Sequence, residues 1–393
     1  MRAPALAFFS LLITGAVRAA EPTVVIYNGG FALVHQPLDL DLRAGENEIR
    51  TSDVTRSVDP ASVMLRDPAG KAEWRLLEQR YRSEPISERA LLAQMEGQSI
   101  TFQVHEGEKT RELQGKLLRA HANGHSEIEA MVEIDGKLRF GLPGTPLFPG
   151  VPADSVLKPE LRLRVTAPRP LKAQAELSYL TEGFHWNADY NAVMREDRIT
   201  EFSGWVTLKN DTTTDFPVAQ VKLVAGDVKR LTKGEDLGEA TTERVAITGS
   251  YIPGSSSAPG VQARTFDEYH EYLLPRAVAL PAGESTQMEL VQAKDVTLTR
   301  SYVYDGANLN LETTIYDAQL DAAFGSDSNS KVILTSEFKN DSANHLGVPL
   351  PRGRLHFYRY DADGRLQFTG DSAIDNTPVN EMVRATTGTA FDL

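Results

Sequence analysis

The 393-residue chain contains no cysteine. That excludes disulfide frameworks, thiolate zinc sites, iron-sulfur clusters, cysteine nucleophiles and the lipid-bearing cysteine of a lipoprotein. Positive charge is in deficit: 41 Lys and Arg face 54 Asp and Glu, a formal net charge of -13. Nucleic acids and anionic membranes are bound through a basic footprint, so neither is expected as a partner. No apolar run approaches the roughly 18 residues of a membrane span, so no transmembrane segment is expected in the mature chain. No P-loop, dinucleotide glycine pattern or H-E-x-x-H occurs. What the chain does have is 41% hydrophobic and 24% charged residues, enough for two or three domains with real cores.

The N-terminus reads as an address. Arg2 is followed by the apolar run 5–17, the right length for the h-region of a signal peptide and too short to cross a bilayer. Val17 and Ala19 place cleavage after Ala19, with Ala20 as the alternative. A signal peptide over residues 1–19 predicts a periplasmic or secreted protein whose stability comes from packing alone.

Period-two alternation dominates the rest, broken by turn pairs, which is the pattern of antiparallel sheet. Residues 20–82 read as an N-terminal β domain, with strands near 23–27, 38–42, 46–50 and 62–66. Residues 83–97 read as a helix opened by Ser83 and closed by Gly97. Within 98–143, the pairs Glu106-Gly107, Asn123-Gly124, Asp135-Gly136 and Pro143-Gly144 punctuate short strands. Asn-Gly and Asp-Gly accept the positive φ of two-residue hairpins. The spacing predicts a small barrel of SH3-like or Sm-like type, or a meander within a larger sheet. Residues 144–159, with five prolines, read as a linker. Residues 160–393 read as a β-sandwich region, one domain or two, with a mobile loop at 249–264 rich in Gly, Ser and Pro. The expected fold is therefore mainly β: antiparallel, immunoglobulin-like sandwich domains, a small barrel and one short helix. An internal echo fits two related sandwich domains. Lys209-Asn210-Asp211-Thr212 and Lys339-Asn340-Asp341-Ser342 each close an alternating strand.

The search for chemistry is mostly negative. Ser155 and Lys158 have S-x-x-K spacing but lack its partner motifs and sit among prolines. Residues 254–258 approach a nucleophile elbow without its last glycine or its strand-to-helix setting. His121 and His125 flank Asn123-Gly124, so a turn with two solvated imidazoles outweighs a metal pair. Asp361, Asp363 and Gly364 begin like a calcium loop, lack its remaining ligands and suit a turn instead. Asp267, Glu268, Tyr269, His270, Glu271 and Tyr272 suit an edge strand with one wet face, or a ligand groove. No catalytic, cofactor-binding or metal residue is assigned, and no cofactor is expected.

Three segments together resemble the bacterial domain of unknown function 4139 family, some relatives of which carry the label mucoidy inhibitor. They are residues 177–190, Gly204-Trp205-Val206, and residues 223–228. Tyr27-Asn28 with Phe31, Asp59-Pro60, residues 347–351, and residues 374–378 through Glu381 extend the resemblance over nearly the whole mature chain. Asn376 stands where a histidine is commoner. The resemblance implies an exported β-rich protein and supplies no catalytic residues. The labelled relatives insert a coiled coil before the main domain and continue beyond the point corresponding to Leu393, so their label transfers poorly.

Three readings of function follow. The first is a non-catalytic envelope protein that binds or organises an unknown envelope protein or polysaccharide. The second is a carbohydrate- or peptide-binding module that uses exposed aromatics such as Trp186, Tyr269 and Tyr272. The third is a hydrolase, since acid pairs formed by tertiary contact are invisible in sequence. Trp186 is expected to pack as a structural plug in a segment too polar for a central strand. Trp205 shares a strand with inward-facing Val206 and Leu208, and is expected to be covered by Trp186 or a neighbouring domain.

Overall fold

The computed structural model describes residues 21–83, 87–107, 109–120, 129–150, 157–226, 228, 230, 262–266, 269–304 and 331–390. The expected signal peptide, His121 and His125, Ser155, residues 254–258 and most of the expected loop lie outside these. Mainly β architecture is observed, with antiparallel sheets and one helix, none of the sheets closed into a barrel. No helix among the described residues is long and apolar enough to cross a membrane.

Contacts divide the chain into two compact units, residues 1–41, 61–72 and 172–393, and residues 42–60 and 73–171. In the second, β6 (Ser99–Glu106), β7 (Lys109–Arg119), β8 (Met131–Ile134), β9 (Lys137–Phe140) and β10 (Thr145–Leu147) form an open sheet ordered β10-β6-β7-β8-β9. The expected small barrel is thus corrected to an open meander. Its inner face gathers Ile100, Phe102, Leu117 and Val132 with Leu92 of helix α1 (Glu88–Gln94). With the helix covering that face, the sheet has no need to close on itself. The helix starts at Ser87, whose hydroxyl accepts from the Ala90 N–H, and not at Ser83.

The Asp135-Gly136 turn forms as expected, with φ of 50° and 71°. By pairing Ile134 with Lys137, it fixes the register that puts Arg139 opposite buried Val132. Leu138 and Phe140 are thereby turned outward, 63% and 62% exposed. A separate sheet joins β3 (Gly45–Thr51) and β5 (Arg75–Arg82) to the two edges of β11 (Glu160–Ala167). The expected N-terminal domain and the start of the expected sandwich region therefore share one sheet, and β10 lies within the expected linker.

The first unit carries the larger core. One sheet is ordered β16 (Gln262–Phe266), β17 (Tyr269–Leu273), β15 (Phe216–Ala225), β1 (Thr23–Tyr27), β2 (Phe31–Leu42), β12 (Leu171–Glu182), β4 (Met64–Arg66), with β18 (Val278–Leu280) on β15. The expected loop thus gives way to strand at Gln262. A second sheet is ordered β19 (Ser285–Thr297), β14 (Arg198–Asn210), β13 (Phe184–Arg195), β22 (Gly353–Tyr360), β23 (Leu366–Ile374). A third joins β20 (Thr299–Tyr304), β21 (Val332–Lys339) and β24 (Met382–Thr389).

Strand β13 is central, contrary to expectation, because its polar residues alternate with Phe184, Trp186, Ala188, Tyr190 and Ala192, all buried on one face. From that face Phe184 meets Phe216 of the first sheet at 5.7 Å and Trp186 meets Tyr272 at 6.3 Å between ring centroids. Phe202 of β14 meets Phe338 of the third sheet at 5.5 Å. The second sheet is therefore the layer on which both others pack.

The Lys-Asn-Asp echo corresponds to a repeated device. Asn210 and Asn340 are 1% and 0% exposed. The Asn210 backbone N–H donates to the Glu284 carbonyl and its own carbonyl accepts from Gly283; Asn340 makes the same pair with Glu381 and Asn380. Gly283 and Asn380 both have positive φ, 74° and 71°. The side-chain amides then donate to further backbone carbonyls around each strand end. Asn210 Nδ2 donates to Thr214 and Leu280, and Asn340 Nδ2 to Val348, Thr377 and Pro378.

Replacing Asn340 with Asp would leave a carboxylate facing three carbonyl oxygens in a dry site. We expect Asn340→Asp to lower stability by about 3 kcal/mol or more, and Asn210→Asp to act in the same direction. Chemical denaturation of each variant against the parent chain measures the difference, and unchanged midpoints would contradict the latch role.

Candidate functional site

The segments on which the family resemblance rests are largely architectural. Tyr190 donates its hydroxyl to the Pro351 carbonyl at 2.8 Å, and Tyr272 donates to Pro349 at 3.3 Å. Burial pushes both phenols well above the usual range. Gly347 N–H donates to Asn340 Oδ1, and Leu350 bridges Thr377. Residues 347–351 and 374–378 thus meet around a buried asparagine. Tyr27 and Phe31 stack at 4.6 Å. Trp186 and Tyr272, offered as stacking residues, are 8% and 2% exposed and cannot receive a ligand without unfolding.

Trp205 is the exception. It is 36% exposed, and its strand neighbour Gly204 faces the opposite way. A Cβ on Gly204 would lie 2.9 Å from the Tyr190 ring and 2.8 Å from Val291 Cγ1, so only glycine lets that ring pack there. Trp186 does not supply the expected cover over Trp205, because it points to the other face of the sheet. A β-bulge in β19 between the partners of Gly204 and Trp205 further sets the aim of the indole.

Strand register builds three rows on this outer face. Trp205 lies between Asp189 and Glu289, Ser203 between Asn191 and Gln292, and Glu201 between Val193 and Lys294. All of these but Asp189 border a depression of about 330 Å³. Asn187 is held by Asp189 at 2.6 Å and Gln287 by Thr207 at 3.1 Å, one row beyond. Among the described residues, by contrast, the side chains of Asn191, Ser203, Glu289 and Gln292 have no hydrogen-bond partner. The result is one exposed indole ringed by unengaged amides, a hydroxyl and a carboxylate. Such a surface can bind an amphipathic molecule.

A second cluster has the residues of a catalytic triad without its geometry. His35 Nδ1 lies 3.0 Å from Ser178 Oγ and 3.2 Å from Glu176 Oε1. In a working triad the serine and the carboxylate meet different ring nitrogens; here both meet the same one. Ser178 is also fully buried. Arg66 completes the cluster at 3.0 Å from Glu176. Burial raises the Glu176 carboxyl, but His35, Arg66 and Ser178 together outweigh it and hold it below the usual carboxylate range.

The acidic segment at β17 resolves similarly. Glu271, 5% exposed, accepts from Arg264 Nε at 2.6 Å, with Lys222 at 3.7 Å, so its charge is neutralised internally. His270 is pushed below its ordinary value by burial. Asp361 caps its own turn by accepting from the Asp363 and Arg365 N–H groups, as a turn and not a calcium loop requires. Among the described residues no group of three or more His, Asp or Glu could hold a metal ion.

Compared with known proteins, the chain matches no family model, no curated protein and no solved structure.

Opposite outcomes are expected for the two tryptophans. Trp186→Ala removes a packed core aromatic and should cost on the order of 3 to 5 kcal/mol, whereas Trp205→Ala should leave the melting temperature nearly unchanged. Equal melting temperatures for the two variants would refute this division.

The Glu176 cluster predicts acid sensitivity. Because its folded-state carboxyl titrates below the unfolded one, its contribution to stability is present above the usual carboxylate range and lost as pH falls through the folded value. The stability gap between the parent chain and Glu176→Gln should therefore be full above the usual carboxylate range and shrink as the pH falls below it, read by melting at each pH. A constant gap would contradict the assignment.

Proposed function

We propose that this chain is an exported protein of the bacterial cell envelope that acts by binding and not by catalysis, its partner being an envelope protein or polysaccharide. The observation that carries the binding part is the Trp205 face, where an exposed indole is ringed by polar side chains that the fold leaves unengaged. A polar group with an internal partner stabilises the fold; one left open at a depression is available to a ligand. The h-region at 5–17 and the cleavage pattern at Val17-Arg18-Ala19 support export, as does the resemblance to a family of exported β-rich proteins.

The reading as a carbohydrate- or peptide-binding module survives in altered form. Burial removes Trp186 and Tyr272 from it, and Trp205 takes their place. Among the described residues, the His35, Ser178 and Glu176 cluster lends the hydrolase reading no support, because Ser178 is enclosed and shares one imidazole nitrogen with Glu176.

Both parts of the proposal are testable on the protein as expressed by its host. N-terminal sequencing of material from the envelope fraction should begin at Ala20 or Glu21, and an intact Met1 in the cytoplasm would sink the export part. Immobilised mature protein should retain a component of solubilised envelope that Trp205→Ala does not retain. Equal retention by both would remove the Trp205 face from the proposal.

A further inference from the structure

We infer that the Trp205 depression is a subsite for a neutral sugar ring of a glycan chain. The inference rests on the binding reading above and narrows it to one ligand chemistry. A pyranose presents an apolar C–H face and a periphery of hydroxyls. The C–H face matches an exposed indole, and each hydroxyl needs a group that can both donate and accept. Asn191 and Gln292 carry amides that do both, and the Ser203 hydroxyl between them does the same. Glu289, beside Trp205, adds a strong acceptor for a hydroxyl proton.

The alternatives fit less well. An extended peptide adds to a sheet through unpaired backbone groups; β14, which carries Trp205 and Ser203, is laddered on both edges by β13 and β19, so a peptide added to the outer edge of β19 would lie two strands away from the indole. A helical partner would need an apolar groove, and Trp205 is the one large apolar side chain exposed in these rows. Charge sets the kind of glycan. Glu201 and Glu289 outnumber Lys294 in the lining of the depression, so a uronate or phosphorylated sugar would meet like charge. A neutral ring meets none. The volume of about 330 Å³ suits a small ligand or one segment of a longer chain.

The test titrates the mature chain with two oligosaccharide panels, neutral hexose and N-acetylhexosamine oligomers on one side and uronate oligomers on the other. Tryptophan fluorescence and calorimetry provide the readouts. At least one neutral oligomer should bind and shift the emission, while the uronates do not. Trp205→Ala should abolish the binding and Trp205→Phe should restore part of it. Gln292→Ala should weaken it about tenfold, the worth of one hydrogen bond. Trp186→Phe should leave it intact, since that side chain faces the core. Binding that survives Trp205→Ala, binding by uronates alone, or no binding by either panel would overturn the inference. Envelope retention separates the two levels. A partner lost with Trp205→Ala and destroyed by protease but not glycosidase leaves the binding reading standing and removes the glycan. No Trp205-dependent partner of any kind removes both.

Discussion

The two-residue period of the β13–β14 hairpin is the constraint on which the larger unit depends. Along β13 it sends Phe184, Trp186, Ala188, Tyr190 and Ala192 to one face, and that face is the floor against which the first and third sheets pack. A slip of one residue would exchange this row for His185, Asn187, Asp189 and Asn191 and leave no common core. The tight turn at Glu196, with φ of 51°, and the Gly204 gap under Tyr190 hold the register from two directions. The same periodicity that buries Trp186 presents Trp205. Core and candidate site are two sides of one hairpin.

Much of this was legible from the sequence, for identifiable reasons. Asp135-Gly136 declared its turn because the residues that tolerate positive φ are few, and the Lys-Asn-Asp echo declared two strand ends for a related reason. Its deeper role was not legible, because the carbonyls that Asn340 satisfies come from Val348, Thr377 and Pro378, distant along the chain. The segment around Trp186 looked too polar for a central strand when its residues were averaged together, although the average mixes a dry face with a wet one. Trp205 was placed on the outer face correctly, and of the two covers expected for it strand geometry removes Trp186, which lies on the opposite side. The exposed Leu138 and Phe140 show the limit of apolar counting: a two-residue turn dictated their direction, and hydrophobicity had no vote.

The twin asparagine latches bear on how the unit is organised. Each ends a strand, ties it to a segment entering the next, and uses one amide where several ladder bonds would otherwise be needed. One latch closes β14 of the second sheet and the other closes β21 of the third. The resemblance between them is therefore a resemblance between two pieces of sandwich, each sealed at a corresponding corner. It also explains why sequence motifs at residues 347–351 and 374–378 stand out without forming a site: they are the backbone that the second latch holds.

Strand β1 carries a consequence for the order in which the chain can fold. It lies between β2, which follows it at once, and β15, with Thr23 paired to Gln220 in parallel. Until β15 has been made, one edge of β1 has no partner, and the hairpin it forms with β2 is only marginally stable alone. Contacts of such separation come late, because the entropy of closing the intervening loop must be met before they contribute anything. Strand β1, made well before β15, is thus among the last to be secured on both sides. The first sheet of the larger unit therefore cannot be completed until residues 216–225 have been made, however early its opening hairpin forms.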